Sequence, residues 1–262
     1  MPLSLLKLHL LLPGFALVLF RVMGLMVTAP LFGSSAIPAR IKVALGFTIA
    51  ALLFPIVGPT LPADITVQTA VAGVAGEMMI GLIIGLSMTL VLVGVQLTGM
   101  MIGQQAGIGL ASVIDPSQNT SSTVVGQVYM ITTLMIFLSI GGHRLLMAAL
   151  LDTFGVVPVL SFTVSENMVG FVADLLSASY ILAIKLFAPV MIALLLTTVA
   201  LGFLSRTIPQ LNILSVGFAV RSMASLGAAA LAIGAAQDLL VRALLESLDA
   251  IRAVFGLAPV VI

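Results

Sequence analysis

Apolar residues along this chain fall into six long runs that are separated by short polar breaks. The runs are Leu10–Phe32, Val43–Val57, Val71–Ile102, Val124–Ile140, Leu175–Leu204 and Ile213–Ala236. A helix needs about 20 apolar residues to cross a bilayer. Val43–Val57 is shorter than that, whereas Val71–Ile102 and Leu175–Leu204 are longer than one crossing and shorter than two. The pattern predicts an all-α, membrane-associated fold of about six hydrophobic helices of uneven length, arranged as hairpins.

Composition supports a membrane protein and narrows the possible chemistry. The chain is 61% hydrophobic and 7% charged, and its mean hydropathy is +1.32, whereas a soluble domain is about 25% charged. A net charge of +1 gives no indication of nucleic-acid binding. The absence of cysteine excludes disulfides, iron–sulfur clusters and thiolate metal sites. No HExxH, GxSxG, P-loop or GxGxxG motif is present, so we expect no catalytic residue, metal or cofactor.

Four charged residues lie in the apolar runs. Arg21, Lys185 and Arg221 are well inside their runs, and Glu77 is near the start of one. A charge at a helix centre costs roughly 2.5–3.5 kcal/mol on insertion scales, so each of the four needs a partner. A structural ion pair or a snorkelling side chain is one interpretation, and an ion pathway is another. Three cations cannot all pair with one anion, so we predict that these buried charges pair between subunits.

Glycines recur at a spacing of four residues in the third run. Gly81 and Gly85 form one such pair, and Gly99, Gly103 and Gly107 continue the spacing farther along. Small residues spaced in this way allow helix backbones to approach closely inside membranes. The third run is therefore predicted to pack tightly against its neighbours.

A weakly polar segment follows that run, with the sequence "IGQQAGIGLASVIDPSQNTSSTVVG" over residues 102–126. Amide side chains at membrane depth require partners or water, and Gln104 and Gln105 open this segment. It is either an ordinary connection between helices or a re-entrant segment that lines or closes a pore.

The C-terminal stretch Gln237–Phe255 has the pattern of an amphipathic helix. Its apolar face consists of Leu240, Leu244, Leu248, Ile251 and Phe255. Such a helix lies at a membrane surface or docks a partner, and the pattern leaves both interpretations open.

Four motifs in register across the chain resemble the FliR family of the bacterial flagellar type III export gate. They are "RVMGLMVTAPLFGSSAIPARIKVAL" (21–45), "GMMIGQQAGIGLASVIDP" (99–116), "GGHRLLMAALLDTFGVVP" (141–158) and "SRTIPQLNILSVGFAVRS" (205–222). The resemblance implies one export-gate domain over residues 1–262, with a pore-plug loop at about 104–122 and a C-terminal amphipathic helix at about 237–255.

The resemblance also implies a function and partners. FliR-like proteins form, with FliP and FliQ, a closed pore for unfolded flagellar proteins. FlhB-like and FlhA-like export components are further expected partners. The expected location is the bacterial inner membrane at the flagellar basal body, with the gate raised above the bilayer on its periplasmic side. An injectisome subunit of the same superfamily is an alternative. An autonomous solute transporter is a more remote one, because we find no internal repeat.

The resemblance assigns the pore plug residue by residue. Its expected members are Gln105, Gly107, Ile108, Gly109, Leu110, Val113, Ile114, Asp115 and Pro116. The four aliphatic side chains would supply the apolar closure, and the two glycines would act as hinges. The chain departs from the family at Met100, where an acidic residue is common, and at Phe218-Ala219, where Phe-Pro is usual.

Overall fold

The computed structural model describes residues 3–34, 37–58, 67–107, 124–161, 166–208 and 213–259, and it is helical in all six ranges. The helices of these ranges are α1 Leu3–Thr28, α2 Ala39–Val57, α3 Val67–Ala106, α4 Val124–Ser139, α5 Gly142–Val156, α6 Glu166–Thr207, α7 Ile213–Ala235 and α8 Gln237–Val254. Each of the six apolar runs forms a helix, so the predicted all-α class is confirmed.

Two of the helices are far longer than a bilayer is thick. α3 has 40 residues and α6 has 42, which gives each a length of about 60 Å at 1.5 Å per residue. By length and composition, four helices of the described ranges could cross a membrane, namely α2, α3, α6 and α7. The α4–α5 pair, counted as one interrupted span, would add a fifth.

Helix α5 was missing from the prediction, which treated its region as a polar break. Gly141, with φ of 70°, precedes the helix, and its left-handed conformation separates α5 from α4. The buried residues of α5 include Leu146, Ala149, Leu150, Thr153 and Phe154. Their spacing of three and four residues is the pattern of a helix with one buried face, so the signal was present in the sequence.

The chain forms two compact units that interleave along the sequence. The first contains Met1–Leu90, Gly141–Leu175 and Leu244–Ile262, and the second contains Val91–Ile140 and Leu176–Ala243.

In the first unit, α1 and α3 pack closely where Gly24 lies against Gly81. A Cβ atom added to Gly81 would lie 2.7 Å from the Leu25 nitrogen and 3.0 Å from the Gly24 Cα, so only glycine allows this approach. One turn away, the Thr28 hydroxyl donates to the Leu82 carbonyl at 3.0 Å. The close packing predicted for this part of α3 is confirmed.

In the second unit, α3 packs against α6 and α4 through small residues. Gly94 lies against the backbone of Ser179, and the Thr98 hydroxyl donates to the Ala183 carbonyl at 3.2 Å. Gly99 faces the backbone of Gly126 on α4. These contacts confirm the predicted role of Gly99 in close packing.

The apolar face of α8 is covered by the chain itself. All five predicted face residues are buried, and Leu244, Leu248, Ile251 and Phe255 belong to the first unit. There the Ser247 hydroxyl donates to the Ser87 carbonyl at 3.0 Å. The amphipathic helix is as predicted, but neither a membrane surface nor a partner is needed to cover its apolar face.

Candidate functional site

The most deeply buried charges of the described residues form an ion pair in the first unit. The Arg21 Nε donates to the Glu77 Oε2 at 2.6 Å, and both side chains are fully buried. α1 supplies the arginine and α3 supplies the glutamate. Because the two opposite charges lie at hydrogen-bond distance, each neutralises the other, and no charge from a second subunit is needed.

The rest of the arginine head group binds the end of α5. Its terminal nitrogens lie 3.3 Å from the Thr153 hydroxyl and 3.2 Å from the Val157 carbonyl. The Arg21 Cζ lies 4.1 Å from the centre of the Phe154 ring, a favourable position for a cation over an aromatic face. Arg21 of α1 therefore binds the C-terminal end of α5 through its side chain.

Glu77 forms a hydrogen bond with the connection that follows α5. Its Oε1 accepts a hydrogen bond from the Leu160 N–H at 3.0 Å. Leu160 has a φ of 72°, a left-handed conformation that costs a side-chain-bearing residue about 1–2 kcal/mol. The Leu160 side chain lies against Gly73 on α3. The carboxylate and the glycine together hold the leucine in this conformation.

The prediction that Arg21 and Glu77 pair between subunits is therefore replaced by a pair within the chain. The other members of this cluster were not predicted from the sequence. They are Thr153, Phe154, Val157 and Leu160. Their contacts with Arg21 and Glu77 join positions 83 to 136 residues apart, so no local sequence pattern predicts them. The helical spacing in α5 was the available signal for Thr153 and Phe154.

The other two predicted charges lie in the second unit and differ from each other. Lys185 on α6 is exposed rather than buried. Arg221 on α7 is half-buried, and its buried Nε has no hydrogen-bond partner among the described residues. A buried donor without a partner costs about 1–3 kcal/mol, and more when it is charged. Arg221 is therefore the charge of this set that the described chain leaves unsatisfied.

Two of the predicted plug residues lie in the described part of the chain. Gln105 is exposed in the last turn of α3. Gly107 ends that helix with a φ of 83°, and its N–H donates to the Gln104 carbonyl at 3.1 Å. Its positive φ fits a C-terminal glycine that turns the chain away from the helix. The remaining predicted plug residues, Ile108, Gly109, Leu110, Val113, Ile114, Asp115 and Pro116, lie outside the described residues.

The helices that precede and follow this segment pack against each other. Gly99 on α3 faces Gly126 on α4, and the Gln96 amide donates to the Met130 sulfur. Tyr129, buried on α4, donates through its hydroxyl to the Ala229 carbonyl of α7 at 3.0 Å. We call α3 from Gln96 to Ala106 and α4 from Val124 to Met130 the stem. The stem is a tight helix pair in the second unit, and residues 108–123 connect its two helices along the sequence.

Residues 12–247 match the family described as "Bacterial export proteins, family 1". The match covers the ion pair, the stem and the segment between the stem helices. This chain belongs to the FliR family of bacterial export proteins. It is 31% identical to the flagellar biosynthetic protein FliR of Bacillus subtilis over 80% of this chain and 82% of that protein. The FliR of Pectobacterium carotovorum is 33% identical, over 76% of both chains.

A protein with a different name is also similar to this FliR-family chain. The surface presentation of antigens protein SpaR of Shigella sonnei is 31% identical over 56% of this chain and 57% of its own length. The flagellar relatives match over more of the chain. The resemblance read from the four sequence motifs is thus confirmed at the level of the family.

Proposed function

We propose that this chain is a core subunit of the flagellar type III protein export gate in the bacterial inner membrane. The observation that carries the proposal is membership of the FliR family over residues 12–247, with relatives named flagellar biosynthetic proteins. The whole chain, residues 1–262, acts as one export-gate domain. FliP-like and FliQ-like subunits complete the pore, FlhB-like and FlhA-like components adjoin it, and unfolded flagellar proteins pass through.

Arg221 supports a role inside a larger assembly. Gly217, one turn before it on α7, faces the Leu201 side chain of α6, with 3.7 Å between an added Cβ and the leucine Cδ1. Both helices are long and apolar enough to cross a membrane. A half-buried arginine inside such an apolar helix needs a counter-charge. A carboxylate of a neighbouring subunit would supply it. The proposal of pairing between subunits thus rests on Arg221.

Pairing through Arg221 is tested by co-purification. Arg221→Met keeps much of the side-chain length and removes the charge, so we expect a tagged Arg221→Met chain to recover less of its partner subunits from the host membrane. Arg144→Met is the matched control, because Arg144 is exposed. Equal recovery of partners by the wild-type chain and Arg221→Met would contradict the pairing.

The stem supports the proposal that residues 104–122 plug the pore. A plug that opens for a passing chain and closes again needs ends held firmly and a middle that can move. The Gly99–Gly126 contact holds the stem helices together, and Gly107 provides the turn out of α3. The segment beyond Gly107 consists mainly of small polar residues and aliphatic side chains, with one glycine, Gly109, and one charged residue, Asp115. This composition suits a mostly apolar closure.

Deletion of Gly107–Ile114 tests the plug. We expect the assembled gate with this deletion to leak ions and small solutes, measured as loss of membrane potential in cells and as dye release from reconstituted vesicles. The control variant is Gly202→Ala, which lies outside the proposed plug and where an added Cβ meets nothing. A gate that assembles with the deletion and stays tight would remove the plug assignment.

An injectisome export gate is the second candidate, because it belongs to the same superfamily as the flagellar gate. The longer matches to flagellar proteins than to SpaR favour the flagellar gate. Loss of motility and of flagellar filaments after deletion of the gene, with restoration by the wild-type gene, would support the flagellar assignment. Normal filaments in the deletion strain would favour the injectisome.

A further inference from the structure

The turn that follows α5 has leucine at a position that favours glycine. In this turn, over residues 158–161, the Ser161 N–H donates to the Pro158 carbonyl at 3.1 Å. Leu160, the third residue of the turn, has a φ of 72°. Turns with a positive φ at this position usually have glycine or asparagine there, because a Cβ atom strains the left-handed conformation. The contacts of Leu160 must therefore compensate for a strained backbone.

The Leu160 side chain lies against α3 at a position where only glycine fits. A Cβ atom added to Gly73 would overlap the Leu160 Cδ2, so any side chain at position 73 would displace the leucine. The Leu160 N–H donates to the buried Glu77 carboxylate at 3.0 Å. One side-chain contact and one backbone hydrogen bond thus hold the strained residue on α3.

A cavity lies beside Leu160 and reaches the buried ion pair. Its volume is about 350 Å³. It is lined by Leu160 and, on α3, by Thr69, Ala72, Gly73, Gly76 and Glu77. The lining residues become less exposed along α3, from Thr69, which is exposed, to Glu77, which is fully buried. The carboxylate therefore forms the deep end of the cavity.

The free volume gives Leu160 room to move. A void of about 150 Å³ already holds a benzene molecule, so a leucine beside this larger cavity can change its conformation without displacing a neighbour. The residues before it are held in place, because the Val157 carbonyl accepts from Arg21 at 3.2 Å and the Val159 side chain is buried. Movement of the turn is therefore expected at Leu160 itself.

We propose that Leu160 is a latch that closes the cavity over Glu77, and that release of the latch weakens the buried ion pair. In the closed state, which the structure shows, Leu160 lies against Gly73 and the Glu77 carboxylate is fully buried. In the released state Leu160 returns to a negative φ, its N–H leaves Glu77, and water enters the cavity. Water raises the local dielectric constant and weakens the attraction between Glu77 and Arg21. Because Arg21 also binds the end of α5, release of the latch loosens that end.

Opposing contributions bring the two states of the latch close in free energy. The hydrogen bond to Glu77 and the contact with Gly73 favour the closed state. Relief of the left-handed conformation and hydration of the carboxylate favour the released state. Strained residues at switch regions have this balance. The Leu160 N–H should therefore exchange with solvent faster than the Val157 N–H, which donates to the Thr153 carbonyl at 2.8 Å at the end of α5.

Thiol labelling tests whether Leu160 closes the cavity, because the chain has no cysteine of its own. Gly76→Cys places a single thiol in the cavity wall. In the full-length chain in mild detergent, a maleimide should label this thiol several-fold faster when Leu160→Gly is added, because glycine removes the covering side chain and accepts the positive φ. Gly73→Ala should also speed labelling, because its methyl group displaces the leucine.

Gly58→Ala is the matched control for Gly73→Ala. Gly58 lies in the same unit and has a φ of −50°, and an added Cβ meets nothing there. It should leave the labelling rate of Gly76→Cys unchanged. Equal labelling rates in the presence and absence of Leu160→Gly and Gly73→Ala would overturn the closing role of Leu160.

Amide hydrogen exchange, read by mass spectrometry, tests the coupling to α5 and needs no cysteine. Leu160→Gly and Gly73→Ala should both speed exchange of the Val157 N–H, although neither changes a residue of α5, and Gly58→Ala should not. Unchanged exchange at Val157 in both variants would overturn the coupling. Equal exchange rates of the Leu160 and Val157 N–H groups in the wild-type chain would overturn the release. Neither readout uses motility or export, so a failed latch is distinguishable from a failed export-gate assignment.

Discussion

Glu77→Gln separates the charge of the buried ion pair from its shape. The variant keeps the size of the side chain, removes the charge that faces Arg21, and leaves one accepting atom where Glu77 has two. Glu77 accepts from the Arg21 Nε at 2.6 Å and from the Leu160 N–H at 3.0 Å, so one of these donors must then face an amide N–H. Removing one partner of a buried ion pair costs about 3–5 kcal/mol, and we expect the variant to lose that much stability.

Thermal unfolding of the full-length chain in mild detergent, followed by circular dichroism, measures this loss. In a protein of this size 1 kcal/mol shifts the midpoint by about 2–4 °C, so the midpoint should fall by roughly 6–20 °C. Asp152→Asn is the matched control, because it removes the ion pair between Arg252 and Asp152, which are 2.9 Å apart with the aspartate 41% exposed. The arginine of this pair is 15% exposed, so the pair is partly buried. Pairs that water reaches contribute about 0–1 kcal/mol, so the midpoint of Asp152→Asn should fall less than that of Glu77→Gln.

The double variant Arg21→Met, Glu77→Leu completes the test, because it removes both charges and leaves none unpaired. Replacing a complete buried pair with apolar residues is often close to neutral, so it should recover most of the stability lost in Glu77→Gln. The reasoning is refuted if Glu77→Gln unfolds at the wild-type temperature. It is also refuted if the double variant is no more stable than Glu77→Gln, because the loss would then come from shape and not from the unpaired charge.

Two further predictions concern packing. Gly99→Val should separate the stem helices, because an added Cβ already collides with the Gly126 backbone. Limited proteolysis should then cut between α3 and α4 faster than in the wild-type chain, whereas Gly202→Ala, where an added Cβ meets nothing, should leave the rate unchanged. Leu248→Ala should destabilise the chain by about 2–5 kcal/mol, because a fully buried leucine leaves a cavity. Arg242→Ala on the exposed side of α8 should have little effect, and equal unfolding midpoints for the two would show that the apolar face of α8 contributes nothing.

The periodic features of the fold were predictable from sequence. Apolar runs long enough for a membrane, glycines four residues apart and the amphipathic pattern of Gln237–Phe255 are local properties of the chain. The structure realises each of them as a helix, a close helix contact or a buried face. Among the helices of the described ranges, α5 alone does not follow from run length, because Arg144 and Asp152 interrupt the apolar run around it.

The candidate site was predictable only in part. The motif resemblance identified the FliR family, and Gly107 does adopt the positive φ of a turn. The choice of partners among the charges was not predictable, because a count of three cations and one anion does not say which cation takes the anion. In the structure the Glu77 carboxylate pairs with Arg21. Lys185 is exposed, and the Arg221 Nε has no hydrogen-bond partner among the described residues.

The sequence by itself determined the class of this protein, its family and its helices other than α5, because these depend on the solvent each segment prefers and on the order of motifs along the chain. The tertiary structure alone decided the cluster around Arg21, which joins α1, α3 and the end of α5 across up to 136 residues. It also decided that the chain covers its own C-terminal helix. Both are choices among partners distant in sequence, and such choices are settled only when helices pack and a buried charge or apolar face must find its neighbour.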